Sequence, residues 1–198
     1  MEPYYYQTLS KAEQSSYQAM QAGLQAFAPS FPVPLLENRA LTDVCMKLRL
    51  DCPQLFYAGT FQYRYYPDSR NAELIPAYLF EKGKLKEHQK ALQARVEKLV
   101  RPVARCSDEE KLLYIHDFIC KNVRYDKLKK QYSHEIIGVL GHGVGVCEGI
   151  AKAVKILCDA LQIQCIIALA ENNPEKGVKY RHAWNVVRLD KKYYHLVH

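Results

Sequence analysis

Residues 141–151 read Gly141-His142-Gly143-Val144-Gly145-Val146-Cys147-Glu148-Gly149-Ile150-Ala151, and Val154, Leu157, Cys158 and Leu161 follow at helical spacing. A helix therefore begins at or just after Cys147. The glycines before it permit close backbone approach with positive dihedrals, and the helix start presents unpaired N–H groups and a partial positive charge. A thiol in that place should ionise more readily than free cysteine, whose pKa is near ~8.5, and the thiolate is the nucleophilic form. Two other readings compete: a buried structural cysteine and a glycine-rich phosphate loop. The phosphate loop fits poorly, because no Lys-Ser/Thr follows the glycines and the spacing matches neither nucleotide fingerprint.

A cysteine nucleophile needs a base delivered by another element, and seven histidines are available. Downstream, Cys165 to Leu169 is a β-branched, apolar strand, residues 171–180 are a polar loop, and His182 to Leu189 reads as the next strand. Asp190-Lys191 suits a two-residue turn, which returns the chain through Lys192 to Val197 as an antiparallel partner. His182 thus opens a strand of a hairpin. A lone histidine there is otherwise an ordinary core or surface residue.

Outside this region the chain is unexceptional. Of 198 residues, 48% are hydrophobic and 25% charged, which excludes disordered and fibrous classes. No stretch approaches the ~18 consecutive apolar residues of a membrane span, and Met1 to Ser10 lacks a basic region followed by an apolar run, so neither a membrane nor a signal segment is expected. The net charge of +7 invites a nucleic-acid reading. Between Lys82 and Arg105, however, the basic residues fall at helical spacing among Leu92, Val96 and Leu99, the pattern of a solvated helix face, so no nucleic-acid partner is expected. Seven cysteines, odd in number and without a C-x-x-C pair, indicate neither a zinc site nor a disulfide framework, and reduced thiols suit the cytoplasm without excluding a secreted fragment. Cys45, Cys120, Cys158 and Cys165 stand among apolar neighbours and read as buried thiols.

Ser10 with Glu13 forms a capping box ahead of Tyr17, Met20, Leu24 and Phe27, an opening amphipathic helix ending by Pro29. Pro29, Pro32 and Pro34 make an extended connection to a second helical stripe, Ala40, Leu41, Val44, Cys45 and Leu48. Residues 55–80 alternate as strands around a turn at Pro67 to Asn71, and a long basic helix runs to about Val100. Ser107 with Glu110 is a second capping box, opening a helix whose Leu112, Ile115, Phe118 and Ile119 face inward. A soft boundary near Arg105 divides an N-terminal α+β region, 1–105, from a core, 106–198.

Together, Gly145-Val146-Cys147-Glu148-Gly149-Ile150-Ala151, His182-Ala183-Trp184-Asn185 and Tyr193-Tyr194-His195 resemble the transglutaminase-like superfamily. Asn122-Val123-Arg124-Tyr125-Asp126 resembles that superfamily's approach to the cysteine segment. The likeness covers about residues 107–198; Asp51 to Tyr57 and the opening helix resemble the N-terminal part of bacterial members less specifically. The resemblance implies an α+β, papain-like core with the nucleophile helix packed on an antiparallel sheet, preceded by a mixed helical and short-strand region. It implies Cys147 as nucleophile and His182 as base, a protein or peptide substrate, and no metal or organic cofactor. Members cross-link glutamine to amines, cleave peptide bonds, remove glycans from asparagine, or have lost activity.

The third member of the site departs from the pattern. The family carries an orienting aspartate at the end of a Tyr-His-Leu-Asp run, and here Val197 stands in that place after Tyr194-His195-Leu196. With Asp190-Lys191 as the turn, Val197 lies opposite Trp184 on the face of His182. Asp190 cannot replace it, since eight residues of strand span about 26 Å at ~3.3 Å each. Asn185, an odd step from His182, should face the other way. Three readings stay open: a truncated or frame-altered end, an orienter supplied by another group, or a site without turnover. Loss of such an aspartate lowers turnover by about 10⁴ in a related triad but leaves residual activity. The Cys147 backbone N–H is the natural first oxyanion donor, and Trp184, His142 and Tyr132 are candidates for the second. Glu148 reads as a charge complementing the helix dipole.

Overall fold

The computed structural model describes residues 3–170 and 181–197. It divides into two compact units, Glu2–Glu87 and His88–His198. The class is α+β, as the resemblance implies.

In the first unit a single helical turn, α1 (Tyr4–Gln7), is tied by Asp51, whose carboxylate accepts the Tyr5 and Tyr6 N–H groups at 3.0 Å. The Ser10–Glu13 capping box is formed and opens α2 (Lys11–Gln25), which buries Tyr17, Met20 and Leu24. The proline-rich segment expected as an extended connection pairs as a short strand, β1 (Phe31–Pro34). It tolerates two prolines because it lies at the edge of an antiparallel sheet of order β1-β3-β2, where missing N–H groups cost nothing. Next come α3 (Asn38–Asp51), β2 (Ala58–Tyr65) and β3 (Asn71–Tyr78). The long helix α4 (Lys82–Val100) contains the division between units; Leu85, Leu92 and Leu99 are buried while its lysines and Arg95 are exposed.

The second unit holds the cysteine segment. Its first complete helix, α5 (Asp108–Asn122), has the Ser107–Glu110 capping box in place and buries Leu112, Ile115 and Ile119. Cys120, expected inside, is exposed: the inward stripe of α5 passes through Ile119, and the next residue turns outward, its sulfur 3.8 Å from the His116 ring nitrogens. Two residues each of β4 (Arg124–Tyr125) and β5 (Val144–Gly145) pair in parallel. The chain between them makes a 3₁₀ turn at Gln131–His134 and a π-helical turn at Ile137–Gly141.

Then α6 (Cys147–Ala160) begins at the cysteine and packs its Ala151, Val154, Leu157 and Cys158 inward. The sheet is antiparallel with order β6-β7-β8, formed by β6 (Cys165–Ala170), β7 (His182–Leu189) and β8 (Lys192–Leu196). Its inner positions Cys165, Ile167, Ala183, Asn185 and Val187 are buried, and Asn185 bonds directly to the α6 backbone. Asp190 and Lys191, at φ 45° and 66°, form the expected two-residue turn, and the observed pairs, Asn185 with Leu196 through Leu189 with Lys192, have the expected register. The polar loop expected at 171–180 lies outside the described residues.

All seven cysteines are free. No described helix is long and apolar enough to cross a membrane. Replacing Ser107 with alanine removes the cap of α5 and is expected to cost about 1 kcal/mol, read as a lowered urea midpoint at constant slope. An unchanged midpoint would show that the capping box contributes no net stability.

Candidate functional site

Val146, the residue before α6, is extended and offers no side-chain cap, so the first turn of the helix is positioned by main-chain contact. The Val146 N–H donates to the Ser133 carbonyl at 3.0 Å. One turn along, a Cβ on Gly149 would sit 2.2 Å from that same oxygen, far inside contact distance, so only glycine lets the helix start lie against the 131–134 turn. Gly143 is the one member of the glycine run at positive φ, 66°.

Charge reinforces the contact. Lys152, fully buried two turns into α6, places its Nζ 2.7 Å from Glu148 Oε1 and 2.9 Å from Glu135 Oε1, and donates to the His134 carbonyl at 3.1 Å. Glu148 Oε2 lies 3.3 Å from His134 Nδ1. Glu148 is thus part of an ion-paired cluster as well as an acid in the first turn of the helix. A buried ammonium is tolerated only with such partners, because desolvation penalises an isolated charge heavily.

Asp126 anchors the same turn from the other side. Its N–H donates to the Gly145 carbonyl at 3.0 Å, and its carboxylate accepts the Leu128 and Lys130 N–H groups at 3.0 and 2.9 Å and the Ser133 hydroxyl. The Ser133 hydroxyl, and then the Lys130 amide, hold the Asp126 carboxyl below the usual aspartate range.

On the sheet, alternation along β7 separates two roles. Asn185 faces α6, fully buried, and its Nδ2 donates to the Ala151 carbonyl at 2.9 Å and to Cys165 Sγ at 3.4 Å. His182 and Trp184 take the other face. Their rings stack at 5.8 Å with 20° between planes, and the indole in turn stacks on His195 at 6.1 Å and 29°. Trp184 Nε1–H donates to His195 Nδ1 at 2.7 Å. Continuing the register places Val197 opposite Trp184, and Val197 is 56% exposed.

A cavity of about 70 Å³ opens where these elements meet, room for a few water molecules. It is lined by Tyr125, by Cys147, Ile150 and Ala151 from α6, and by His182 to Asn185 from β7. Cys147, His182 and Trp184 therefore border one space. Tyr132 and His142 are not among the described residues lining it; their rings pack on each other at 5.1 Å. The Trp184 indole N–H, another candidate for the second oxyanion donor, is directed at His195 Nδ1. Tyr125, whose signal was its place in the Asn122–Asp126 run, was missed as a lining residue, as was Asn185. Among the described residues no group of three His, Cys, Asp or Glu side chains could hold a metal ion.

A family model described as the Transglutaminase-like superfamily matches residues 93–197. A search of curated proteins gives no match. Among solved structures, the chain is similar to a TGase, with 13% identity and a TM-score of 0.46 over 71% of this chain and 44% of that one. It is also similar to a protein of Cytophaga hutchinsonii provisionally assigned as a cysteine protease, with 14% identity and a TM-score of 0.42 over 70% of this chain and 61% of that one. A protein of Parabacteroides distasonis ATCC 8503 provisionally assigned as a protease gives 14% identity and a TM-score of 0.40 over 71% and 36%. The chain thus spans less than two thirds of the length of each.

The depressed Asp126 carboxyl gives the loop a defined pH response. Its contribution is fully present above the unfolded carboxyl pKa of ~3.9 and is lost as pH falls through the lower folded value. Hydrogen exchange at the Leu128 and Lys130 amides, corrected for intrinsic rates, should accelerate below about pH 4. Asp126→Ala should reproduce the faster exchange at pH 7, and unchanged protection in that variant would contradict the assignment.

Proposed function

Because the chain belongs to the transglutaminase-like superfamily through residues 93–197, we propose that it is a thiol-dependent acyl-transfer enzyme acting on a peptide or side-chain amide. Cys147 is the nucleophile and His182 its base in this reading. The observation that carries it is the shared cavity: the first residue of α6 and the first residue of β7 border one small space.

The chemistry follows from those positions. His182 takes the thiol proton, and the Cys147 sulfur attacks the amide carbonyl to form a C–S bond. As the tetrahedral adduct collapses, the C–N bond breaks and His182 returns the proton to the departing amine, leaving a thioester. Water or a second amine then adds to the thioester carbonyl, His182 takes its proton, and the thiolate leaves. Water as acceptor makes the protein an amidase or protease; a lysine amine makes it a cross-linker. The main-chain N–H at the start of α6 faces the developing oxyanion, helped by the helix dipole. With the Trp184 N–H engaged by His195, the Tyr125 hydroxyl is the remaining side-chain O–H donor on the cavity wall. No resident cofactor enters these steps.

Val197 favours a second reading, a binding or scaffold domain that keeps the fold without turnover, since a carboxylate at that register position would orient the base.

Iodoacetamide at pH 6, read site by site by mass spectrometry, tests the nucleophile. Burial pushes the Cys45 thiol up to about 12 and, with the Cys165 hydrogen bond as the leading cause, holds Cys158 well above the usual thiol range, so both should stay unlabelled. Exposed Cys120 is the internal control. Cys147 should label at least about tenfold faster than Cys120, the thiolate being the reactive form; equal rates would overturn its assignment. Val197→Asp separates the two readings. If amide hydrolysis or amine incorporation appears only in that variant, the native chain is a binding domain; activity already present in the native chain supports the enzyme.

A further inference from the structure

We infer that His195 is a positioning residue for His182, acting through the indole of Trp184. The inference rests on the acyl-transfer reading, in which His182 is the base, and it names the group that orients that base where Val197 stands at the aspartate's place.

Three observations converge on one face of the β7–β8 hairpin. First, His182 and Trp184 are two residues apart on one strand and so share a face, and their rings stack at 5.8 Å and 20°. Second, the Trp184 Nε1–H donates to His195 Nδ1 at 2.7 Å across the strands, where His195 lies opposite Val186 and diagonal to Trp184. Third, the indole lines the cavity with Cys147, whereas His195 does not, so His195 is placed to act on the site only through Trp184. The three rings form a ladder from β8 to the mouth of the cavity.

The chemistry of the link is directional. Indole has one N–H and no acceptor, so one bond sets which way its plane turns about the side chain. Accepting that bond requires an unprotonated Nδ1 on His195, which puts its proton on Nε2. With the indole fixed, its face limits rotation of the stacked His182 ring where that residue lines the cavity. A carboxylate would orient the imidazole by hydrogen bonding; here an aromatic surface does so by packing, a weaker constraint that leaves the base working at reduced efficiency.

The chain has a single tryptophan, so the indole N–H gives one cross-peak in an ¹⁵N–¹H spectrum of the full chain. In His195→Leu that peak should move upfield, and the second-order rate of Cys147 alkylation by iodoacetamide near pH 7 should fall about tenfold, well short of the ~10⁴ attached to loss of an orienting aspartate. His195→Gln, whose amide oxygen can accept the indole proton, should restore both the peak and most of the rate. Because His195 is exposed, neither change should prevent folding. A shifted peak with an unchanged rate in His195→Leu would overturn the inference, as would a rate that stays low in His195→Gln although the peak returns. His182→Ala distinguishes the two levels: unchanged alkylation there removes the acyl-transfer reading and this inference with it, whereas slow alkylation there beside a normal rate in His195→Leu removes the inference alone.

Discussion

The contact on which the site depends is the seating of a helix start against one carbonyl. Ser133 O accepts the Val146 N–H and lies where a side chain on residue 149 would have to be. Helix starts ordinarily take a serine, threonine or aspartate cap. Val146 supplies none, so the start of α6 is located by the 131–134 turn and is left open on the side of Cys147. The unpaired N–H groups of that first turn carry the positive end of the helix dipole beside Cys147.

That seating is held electrostatically as well. Lys152 joins α6 to Glu135 and the His134 carbonyl, and Glu148 links back to the same ammonium. Removing one partner of a buried pair typically costs about 3–5 kcal/mol, because the other charge is left in a medium that cannot solvate it. The cluster therefore couples the position of α6 to the 133–135 segment through charges none of which can be removed singly without cost. Asp126 extends the linkage by gathering the Leu128 and Lys130 amides and the Ser133 hydroxyl, so that Tyr125 at the cavity and Ser133 under the helix belong to one bonded loop.

The parts that sequence revealed are those governed by a period or a cap. Both capping boxes, the apolar stripes of α2, α3 and α5, the start of α6 at Cys147 and the β7–β8 register follow from local rules, and the structure has them where those rules put them. What escaped lies between residues 124 and 145, where two-residue strands and single 3₁₀ and π turns carry no periodicity. Lys152 escaped for a related reason: an i,i+4 pair with Glu148 looks like a surface feature, and its burial arises from a segment closing over it that the helix pattern does not contain. Cys120 shows the converse error, an apolar neighbourhood in sequence beside a helix face that turns outward one residue after Ile119.

The alternation of β7 explains how one strand can serve the helix and the imidazole at once. Odd positions hold α6: Asn185 reaches the Ala151 carbonyl, one turn beyond Cys147, and Ala183 and Val187 pack beside it. Even positions carry His182 and Trp184. A slip of one residue would exchange the two sets, burying an imidazole against the helix and turning the asparagine outward, so the register that makes the core also places His182. The Asn185 amide sharpens that constraint. Its Nδ2 has two acceptors while Oδ1 is buried with no partner among the described residues. Leaving an acceptor unpaired costs roughly 1–3 kcal/mol, yet reversing the amide would set Oδ1 against the Ala151 carbonyl oxygen and strand two donors instead. The helix backbone thus decides the orientation of the side chain, and the side chain in turn keeps the strand at the height where its first residue meets the cavity.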